Sequence, residues 1–470
     1  MSKRNHVFIK RVEISSKVED VFEYHRREGA LERLIPPWSS LQVIKRDKDL
    51  KDASIVILRL NVGPIGIRWI AQHLGYIQNR QFQDKMIKGP FRYWLHTHSF
   101  VPRELDNNCI MEDRIDYSLP FGIAGIDLFN NIIRDNLCQL FYYRHHILKN
   151  DMNLYKLVRK NRGKRILITG STGLIGSALV PFLSTVGDHH VTRMVRPSST
   201  YRNNNPYAVK WDPDKGKIEI NDLEGYDVII HLSGENIFGR WSESKKRKLM
   251  ESRIKTTRLL CDSLIKLKNP PSTLICASAI GIYGDRGEDV LTEETFPADS
   301  GFLSVLCQKW EEATASVKSI GIRLINARFG MVLTPKGGML KKLVEPSIFK
   351  IGLRIGSENQ YISWISIEDV LGSILYSIGD SSIRGPVNFV SPNPMKMSDF
   401  TRILSEILKN KLIIPITTRT LKPVFGELAE YVISSSSFVI PRKLSIAGYP
   451  FMNTDLDNTL RLLLGRQNLR

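Results

Sequence analysis

The stretch Arg165-Ile166-Leu167-Ile168-Thr169-Gly170-Ser171-Thr172-Gly173-Leu174-Ile175-Gly176-Ser177-Ala178-Leu179-Val180-Pro181-Phe182-Leu183 decides how most of this chain folds. Arg165 to Thr169 is a short apolar run of the kind buried on both faces of a parallel sheet. Ser177 to Leu183 reads as the start of a helix. Between them lies a G-x-x-G-x-x-G turn, whose glycines do separate work: one permits the tight turn, one lets backbone approach a pyrophosphate, and one lets helix and strand pack closely. The helix that follows offers free N–H groups and the positive end of its dipole to phosphates. Gly170, Ser171, Thr172, Gly173, Leu174, Ile175 and Gly176 are therefore candidate phosphate-binding residues of a dinucleotide site.

Beyond the turn, strand-like and helix-like segments alternate. His190 to Val195, Asp227 to Leu232, Thr273 to Ala277 and Arg323 to Arg328 read as strands, and Ser242 to Lys268 as the clearest helix. That alternation predicts an α/β fold, a Rossmann-type doubly wound parallel sheet with a small C-terminal substrate region. About 20 residues past the glycines, a site that prefers NAD presents an acid to the ribose 2′-hydroxyl. Here the place holds Val195-Arg196-Pro197. A guanidinium cannot accept that hydrogen bond but binds a 2′-phosphate well, so NADP is the expected cofactor and Arg196 its candidate discriminator.

Before the turn the pattern changes. Val43 to Arg46, Ala53 to Asn61, Ile67 to Ile77, Arg92 to Val101 and Cys109 to Tyr117 read as strands, and Ile123 to Leu148 as one helix laid on a curved antiparallel sheet. The expected domains are residues 1–150, a basic linker over 151–163, and residues 164–470 with a small module from about 420. Composition agrees with a folded chain: 470 residues at 42% hydrophobic and 24% charged are too many for one core and too apolar for disorder. The net charge of +19 is spread along the chain without a recognition motif, so nucleic acid is not an expected partner. No run of about 18 apolar residues and no apolar leader appears, from which a cytoplasmic protein with no membrane partner is expected. The 5 cysteines are odd in number and far apart, which predicts free thiols.

With these residues in hand, the segment from about Lys164 to Leu464 resembles the atypical extended short-chain dehydrogenases of the epimerase family. Besides the glycine turn, the resemblance rests on His231-Leu-Ser-Gly234-Glu235-Asn236-Ile with Arg240-Trp241, Ser278-Ala-Ile-Gly-Ile-Tyr283-Gly284, Ser363-Trp364-Ile-Ser-Ile-Glu-Asp369, and Val439-Ile-Pro441-Arg442. It implies that Leu232 and Ser233 line the nicotinamide–ribose side of the cofactor, that Gly234 keeps that wall thin, and that Glu235 and Asn236 complete the segment. It also implies cofactor contacts from Arg253 and Arg328. Where related segments often carry His after Trp-Ile, this chain has Ser366, which puts a substrate contact there in doubt.

The first 150 residues resemble the helix-grip fold of the START and polyketide-cyclase-like (SRPBCC) ligand-binding proteins, an α+β domain. Ile70-Ala-Gln-His73, Phe82-Gln-Asp-Lys, Trp94-Leu-His96-Thr-His98 and Asp113-Arg-Ile-Asp-Tyr117 carry this resemblance. It implies an apolar ligand in a cavity. His96 and His98, two apart on a strand, face the same side and can bind metal or an acidic ligand. The commoner arrangement is a polar cavity wall, and no metal is expected.

Short-chain dehydrogenases usually pair a Tyr with a Lys four residues on, assisted by a Ser. Ser278 stands in the place of that Ser, but Leu303 and Cys307 occupy the Tyr and Lys places, and no tyrosine of this chain has a lysine four residues later. Tyr283 is the nearest substitute hydroxyl. Ser278 and Tyr283 are therefore the candidate catalytic residues of an oxidoreductase or epimerase acting on a small substrate, nucleotide-linked or not, with Leu333 to Arg354 and the C-terminal third as its cover. The alternative is a non-catalytic NADP(H) sensor or carrier. Nothing in the sequence gives the oligomeric state.

Overall fold

The computed structural model describes residues 6–469 except 48, 104–106, 121–126, 159–160, 198–207, 357, 418, 420–421, 423–425 and 430–434. Part of the expected C-terminal module and the first residues of the expected helix from Ile123 thus lie outside the described residues. The chain divides into two units, residues 1–159 with 184–186 and 462–470, and residues 160–183 with 187–461.

In the first unit, strands β1 (His6–Ile14), β2 (Leu41–Arg46), β3 (Ile55–Val62), β4 (Ile65–Ile77), β5 (Gln81–Lys88), β6 (Tyr93–Arg103) and β7 (Asn108–Ser118) form one antiparallel sheet in the order β1-β7-β6-β5-β4-β3-β2. Helices α1 (Val18–Arg26) and α2 (Ala30–Arg33) follow β1, and the long α3 (Asp127–Leu157) closes the unit. Burial alternates along the strands as one covered face requires: His96, His98 and Phe100 on β6, and Met111, Asp113, Ile115 and Tyr117 on β7, are all buried. Phe8, Ile115, Tyr117, Leu137 and Phe141 make the core between sheet and α3. Strands β1 and β5 go beyond the sequence reading. Their inner faces mix apolar residues with His and Asp, so the alternation of apolar and polar types is blurred.

The linker expected over 151–163 is corrected in its first half, because α3 continues to Leu157. Asp151 is fully buried, where Arg33 donates Nε and Nη2 to its two carboxylate oxygens at 2.9 and 2.8 Å, and the Tyr24 hydroxyl donates at 2.7 Å. Lys156, exposed on this helix, lies beside the buried Met152, Leu154 and Tyr155.

In the second unit, β8 (Arg165–Thr169), β9 (His190–Val195), β10 (Val209–Asp212), β11 (Lys217–Ile218), β12 (Val228–His231), β13 (Thr273–Ala279), Arg323–Phe329 and Gly385–Phe389 form an 8-stranded sheet. Its order is β11-β10-β9-β8-β12-β13, then Arg323–Phe329, then Gly385–Phe389. Every pairing is parallel except that of β10 with β11. Connections run outward in both directions from the β8/β12 pair, so the topological switch point, where ligands bind in such sheets, lies between Thr169 and His231. Helices α4 (Leu174–Thr185), α5 (Glu243–Leu264) and α6 (Phe302–Glu312) connect the strands. Helix α5 is shorter than the expected Ser242 to Lys268: Ser242 is its N-cap, accepting from the Lys245 N–H at 3.2 Å. No described helix is long and apolar enough to cross a membrane.

Candidate nucleotide-binding site

The glycine turn sits at the switch point, and its three glycines differ in what the protein itself demands of them. Gly170 has φ +66°, and a Cβ there would lie 2.6 Å from the Leu232 carbonyl. A Cβ on Gly176 would meet the Gly170 carbonyl oxygen at 2.3 Å, so this glycine seats α4 against the turn. Gly173 is under a milder constraint: its backbone is ordinary, and an added Cβ would sit 3.2 Å from the Gly170 carbonyl oxygen, tight but short of overlap. It is exposed, as is the neighbouring Thr172, so its backbone is open to solvent. The Ser171 hydroxyl is buried with no hydrogen-bond partner, while the Ser171 carbonyl accepts from Arg193 at 2.9 Å. Leu174 and Ile175 are half-buried, and Leu174 packs under Gly337.

Across the switch point, half-buried Leu232 and buried Ser233 end β12, and Gly234 and Asn236 are exposed. The segment is held from below. The Glu235 N–H donates to Ser252 Oγ, its carboxylate pairs with Lys245, and Asn236 Oδ1 accepts from the Phe238 N–H at 2.9 Å. Arg253 lies over the Trp310 ring and donates to the carbonyls of Glu235 and Leu249, at 3.1 and 3.3 Å. In this structure Arg253 is thus a buttress of the 232–236 segment. His231, fully buried, lies between the hydroxyls of Thr169 and Thr257 at 2.8 and 3.1 Å, and burial pushes its ring down to about 4. At the end of β9, Arg196 is half-exposed with Asp214 3.5 Å away on the surface.

Ser278, Tyr283 and Arg328 are brought together, but not into an open site. The Ser278 hydroxyl donates to Glu311 Oε1 at 2.7 Å, and Arg328 grips the same carboxylate through Nε and Nη2 at 2.8 and 2.9 Å. Arg328 Nη1 donates to the Tyr283 hydroxyl at 2.9 Å, and that hydroxyl donates to Asn388 Oδ1 at 2.7 Å. Tyr283 is 0% exposed, Ser278 2% and Arg328 4%. Burial raises the Tyr283 phenol above its ordinary value, only partly opposed by Arg328.

Three sequence candidates thus share one enclosed network. Tyr283 is an enclosed hydroxyl with donor and acceptor both used, and the Ser278 hydroxyl is likewise bonded to Glu311. Each nitrogen of the Arg328 guanidinium donates one hydrogen bond within the protein. The residue that organises this network, Glu311, was not among the sequence candidates. A signal existed: Leu303, Cys307 and Glu311 recur four apart on α6 and share the face turned to Ser278. Cys307 itself is a buried thiol pushed up to about 12. Ser366 caps the helix Ile367–Gly379, accepting from the Asp369 N–H at 2.9 Å, which accounts for a small hydroxyl there.

In the first unit, His96 and His98 line a cavity of about 310 Å³ with Leu58, Leu60, Trp69 and Trp94.

Comparison with known proteins adds the following. The model of the NAD dependent epimerase/dehydratase family matches residues 166–381, and that of polyketide cyclase / dehydrase and lipid transport matches residues 14–141. An epimerase family protein of Bacillus subtilis is 34% identical over 299 residues, 64% of this chain and 97% of that protein. The crystal structure of a nucleoside-diphosphate sugar epimerase from Corynebacterium glutamicum is 30% identical, with a TM-score of 0.80 covering 97% of this chain and 90% of that one. A human epimerase family protein, solved with NADPH, is 27% identical with a TM-score of 0.59, covering 64% of this chain and 100% of that one.

Proposed function

The chain belongs to the epimerase family, and from that premise we propose that it is an NADP(H)-dependent oxidoreductase or epimerase acting on a small substrate, nucleotide-linked or not. The observation that carries the reading is the turn at the switch point, where Gly173 is exposed and less constrained by packing than Gly170 and Gly176. An unpartnered buried hydroxyl on Ser171 fits the same purpose, as a donor to a phosphate oxygen. The residues that would hold the dinucleotide are Gly170 to Gly176 for the pyrophosphate and Leu232 to Asn236 for the nicotinamide–ribose half. When bound, the cofactor supplies hydride transfer; the protein supplies orientation and a wall.

The choice of NADP rests on Arg196. Its partner Asp214 is a surface carboxylate in a weak, solvent-screened pair, and a 2′-phosphate carries more charge and a geometry the guanidinium fork matches. The human relative solved with NADPH supports the same choice.

Calorimetric titration of the full chain tests both parts. NADPH is expected to bind at least tenfold tighter than NADH, about 1.4 kcal/mol, and Arg196→Ala to erase that preference. Gly173→Val is expected to lose both nucleotides while remaining folded by circular dichroism. Equal affinities for the two nucleotides would remove NADP, and full binding by Gly173→Val would remove the turn from the site.

A second reading, a non-catalytic NADP(H) sensor or carrier with an apolar ligand in its first unit, is favoured by one observation: the Ser278 and Tyr283 hydroxyls are both consumed inside the protein. Oxidation of bound NADPH across a panel of carbonyl compounds and sugar nucleotides separates the two. Turnover of any member supports the enzyme, and none supports the sensor.

A further inference from the structure

The cavity of the first unit ends in a concentration of imidazole and carboxylate groups that an apolar ligand does not need. Sheet pairing builds it: His73 on β4, Asp84 on β5 and His96 on β6 are direct cross-strand neighbours, and His98 stands opposite Asp113 on β7 one row further. Residues two apart on a strand share a face, so all of them look toward the same side. His73, His96, His98 and Asp113 are each at least nine-tenths buried, at 6%, 5%, 8% and 1% exposure.

The hydrogen bonds divide this group in two. Asp113 is saturated: His96 Nε2 lies 2.9 Å and His98 Nδ1 2.8 Å from its Oδ1, and His145 Nε2 lies 2.7 Å from Oδ2. Asp84 is bonded more loosely, with His98 Nε2 3.3 Å from its Oδ2. His73 Nδ1 is 2.6 Å from its Oδ1, yet the two do not meet at a hydrogen-bonding angle, and the same holds for His98 Nδ1 against Asp113. One ligand atom from each of Asp84, His96 and His98 lies within 4.8 Å of the others, close enough to share one ion.

We propose that Asp84, His96 and His98 bind one divalent first-row transition ion, with His73 beside them and Asp113 as the carboxylate that orients the histidines. The donor set argues for the ion's class. Two imidazoles and one carboxylate suit zinc, iron, cobalt or nickel, whereas magnesium and calcium take oxygen donors. Asp113 bonds Nε2 of His96 and lies 2.8 Å from Nδ1 of His98, which leaves Nδ1 of the first for the metal, and Nε2 of the second once the ion replaces its 3.3 Å contact with Asp84 Oδ2. Histidine ligands held by a carboxylate through their other nitrogen are the usual supporting arrangement. Three protein ligands leave coordination positions open. Those positions look onto a cavity walled by Leu58, Leu60, Trp69 and Trp94, so the ligand they suit is an apolar molecule ending in an oxygen donor such as a carboxylate. This inference concerns the first unit alone and is independent of the nucleotide reading.

The test uses the full chain, free of any affinity tag and stripped with a chelator, titrated with Co²⁺ as a visible probe and then with Zn²⁺. One equivalent of Co²⁺ is expected, with absorption bands of a protein-bound ion that Zn²⁺ removes. Asp84→Asn and His98→Asn are expected to abolish uptake, and Asp113→Asn to weaken it by about 10- to 100-fold, the usual effect of losing an orienting carboxylate. Circular dichroism and thermal unfolding establish that each variant is folded. Asp84→Asn changes no volume and guards against collapse at His98. Absence of stoichiometric uptake by the parent protein, or unchanged uptake by folded Asp84→Asn, overturns the proposal.

Discussion

Two buried charged clusters, one in each unit, differ in a way that separates architecture from function. Around Glu311, one carboxylate meets one guanidinium bidentately and each neighbouring hydroxyl has a partner, so the charges and hydrogen bonds close on themselves. Around Asp84 and Asp113, histidines outnumber the carboxylates, two contacts miss hydrogen-bonding alignment, and the group borders a cavity. A closed network fixes strands and a helix relative to one another. An open one is poised for something that has yet to enter.

The largest expected effect comes from opening the closed cluster. Glu311→Ala strands the Arg328 guanidinium, 5% exposed on its side chain, without its counter-ion. Breaking a buried pair this way costs about 3–5 kcal/mol. Urea unfolding of the full chain should show that loss, and Glu311→Leu combined with Arg328→Met should recover much of it, because the unpaired charge is gone. A loss below about 1 kcal/mol in the single variant, the level of an exposed pair, would mean that solvent reaches the cluster and that the contrast between the two is false.

How much of this was legible in the sequence follows from how local each feature is. The glycine turn could be read because each glycine answers to atoms a few residues away or to the adjacent strand end. Strand β9 was read at its observed limits, His190 to Val195, for the same reason. Glu311 carried only the weak signal of its spacing from Leu303 and Cys307, since in Lys309-Trp310-Glu311-Glu312 it resembles any charge on a helix. Only the pairing of Thr273–Ala279 with Arg323–Phe329, which sets Ser278 opposite Arg328, gives it two partners. Likewise Asp151 lies among basic residues that suggest a linker, and its partner Arg33 lies 118 positions away. Burial of charge is a property of topology, and sequence reports it only when the partners are neighbours.

A smaller effect sharpens the comparison through one residue type. His98 in the open cluster is disfavoured as a cation by burial, yet Asp113 and Asp84 outweigh that and hold it up to about 9. His231 has threonines for neighbours and the Trp211 ring edge-on, so burial acts unopposed and the ring is neutral down to about pH 4. In the unfolded chain a histidine takes its proton near pH 6.5. The stability that depends on neutral His231 is therefore complete above about pH 6.5 and is lost as pH falls toward 4, by up to about 1.4 kcal/mol per pH unit. His189, also held at about 4, contributes to the same window in parent and variant alike. The test is the difference between parent and His231→Asn. Between pH 6.5 and 5 the parent should lose about 2 kcal/mol more than the variant; identical slopes would mean that His231 is not enclosed as described.

The smallest effect bears on chemistry. Tyr283→Phe removes a hydroxyl that accepts from Arg328 and donates to Asn388, in a position 0% exposed. The cost expected is that of leaving buried polar partners unmatched, about 1–3 kcal/mol in unfolding free energy. The phenyl ring fills the same space among Ile282, Leu291 and Val439, so the sheet keeps its form. If the cluster is closed, NADPH affinity should be unchanged and turnover of any substrate found should stay within about twofold of the parent. A positioned acid–base group contributes about 10² to 10⁴-fold to rate, so the two outcomes cannot be confused. A hundredfold fall in turnover at unchanged stability would show that the network opens during reaction and would return Tyr283 to the catalytic role that its place in the sequence suggests.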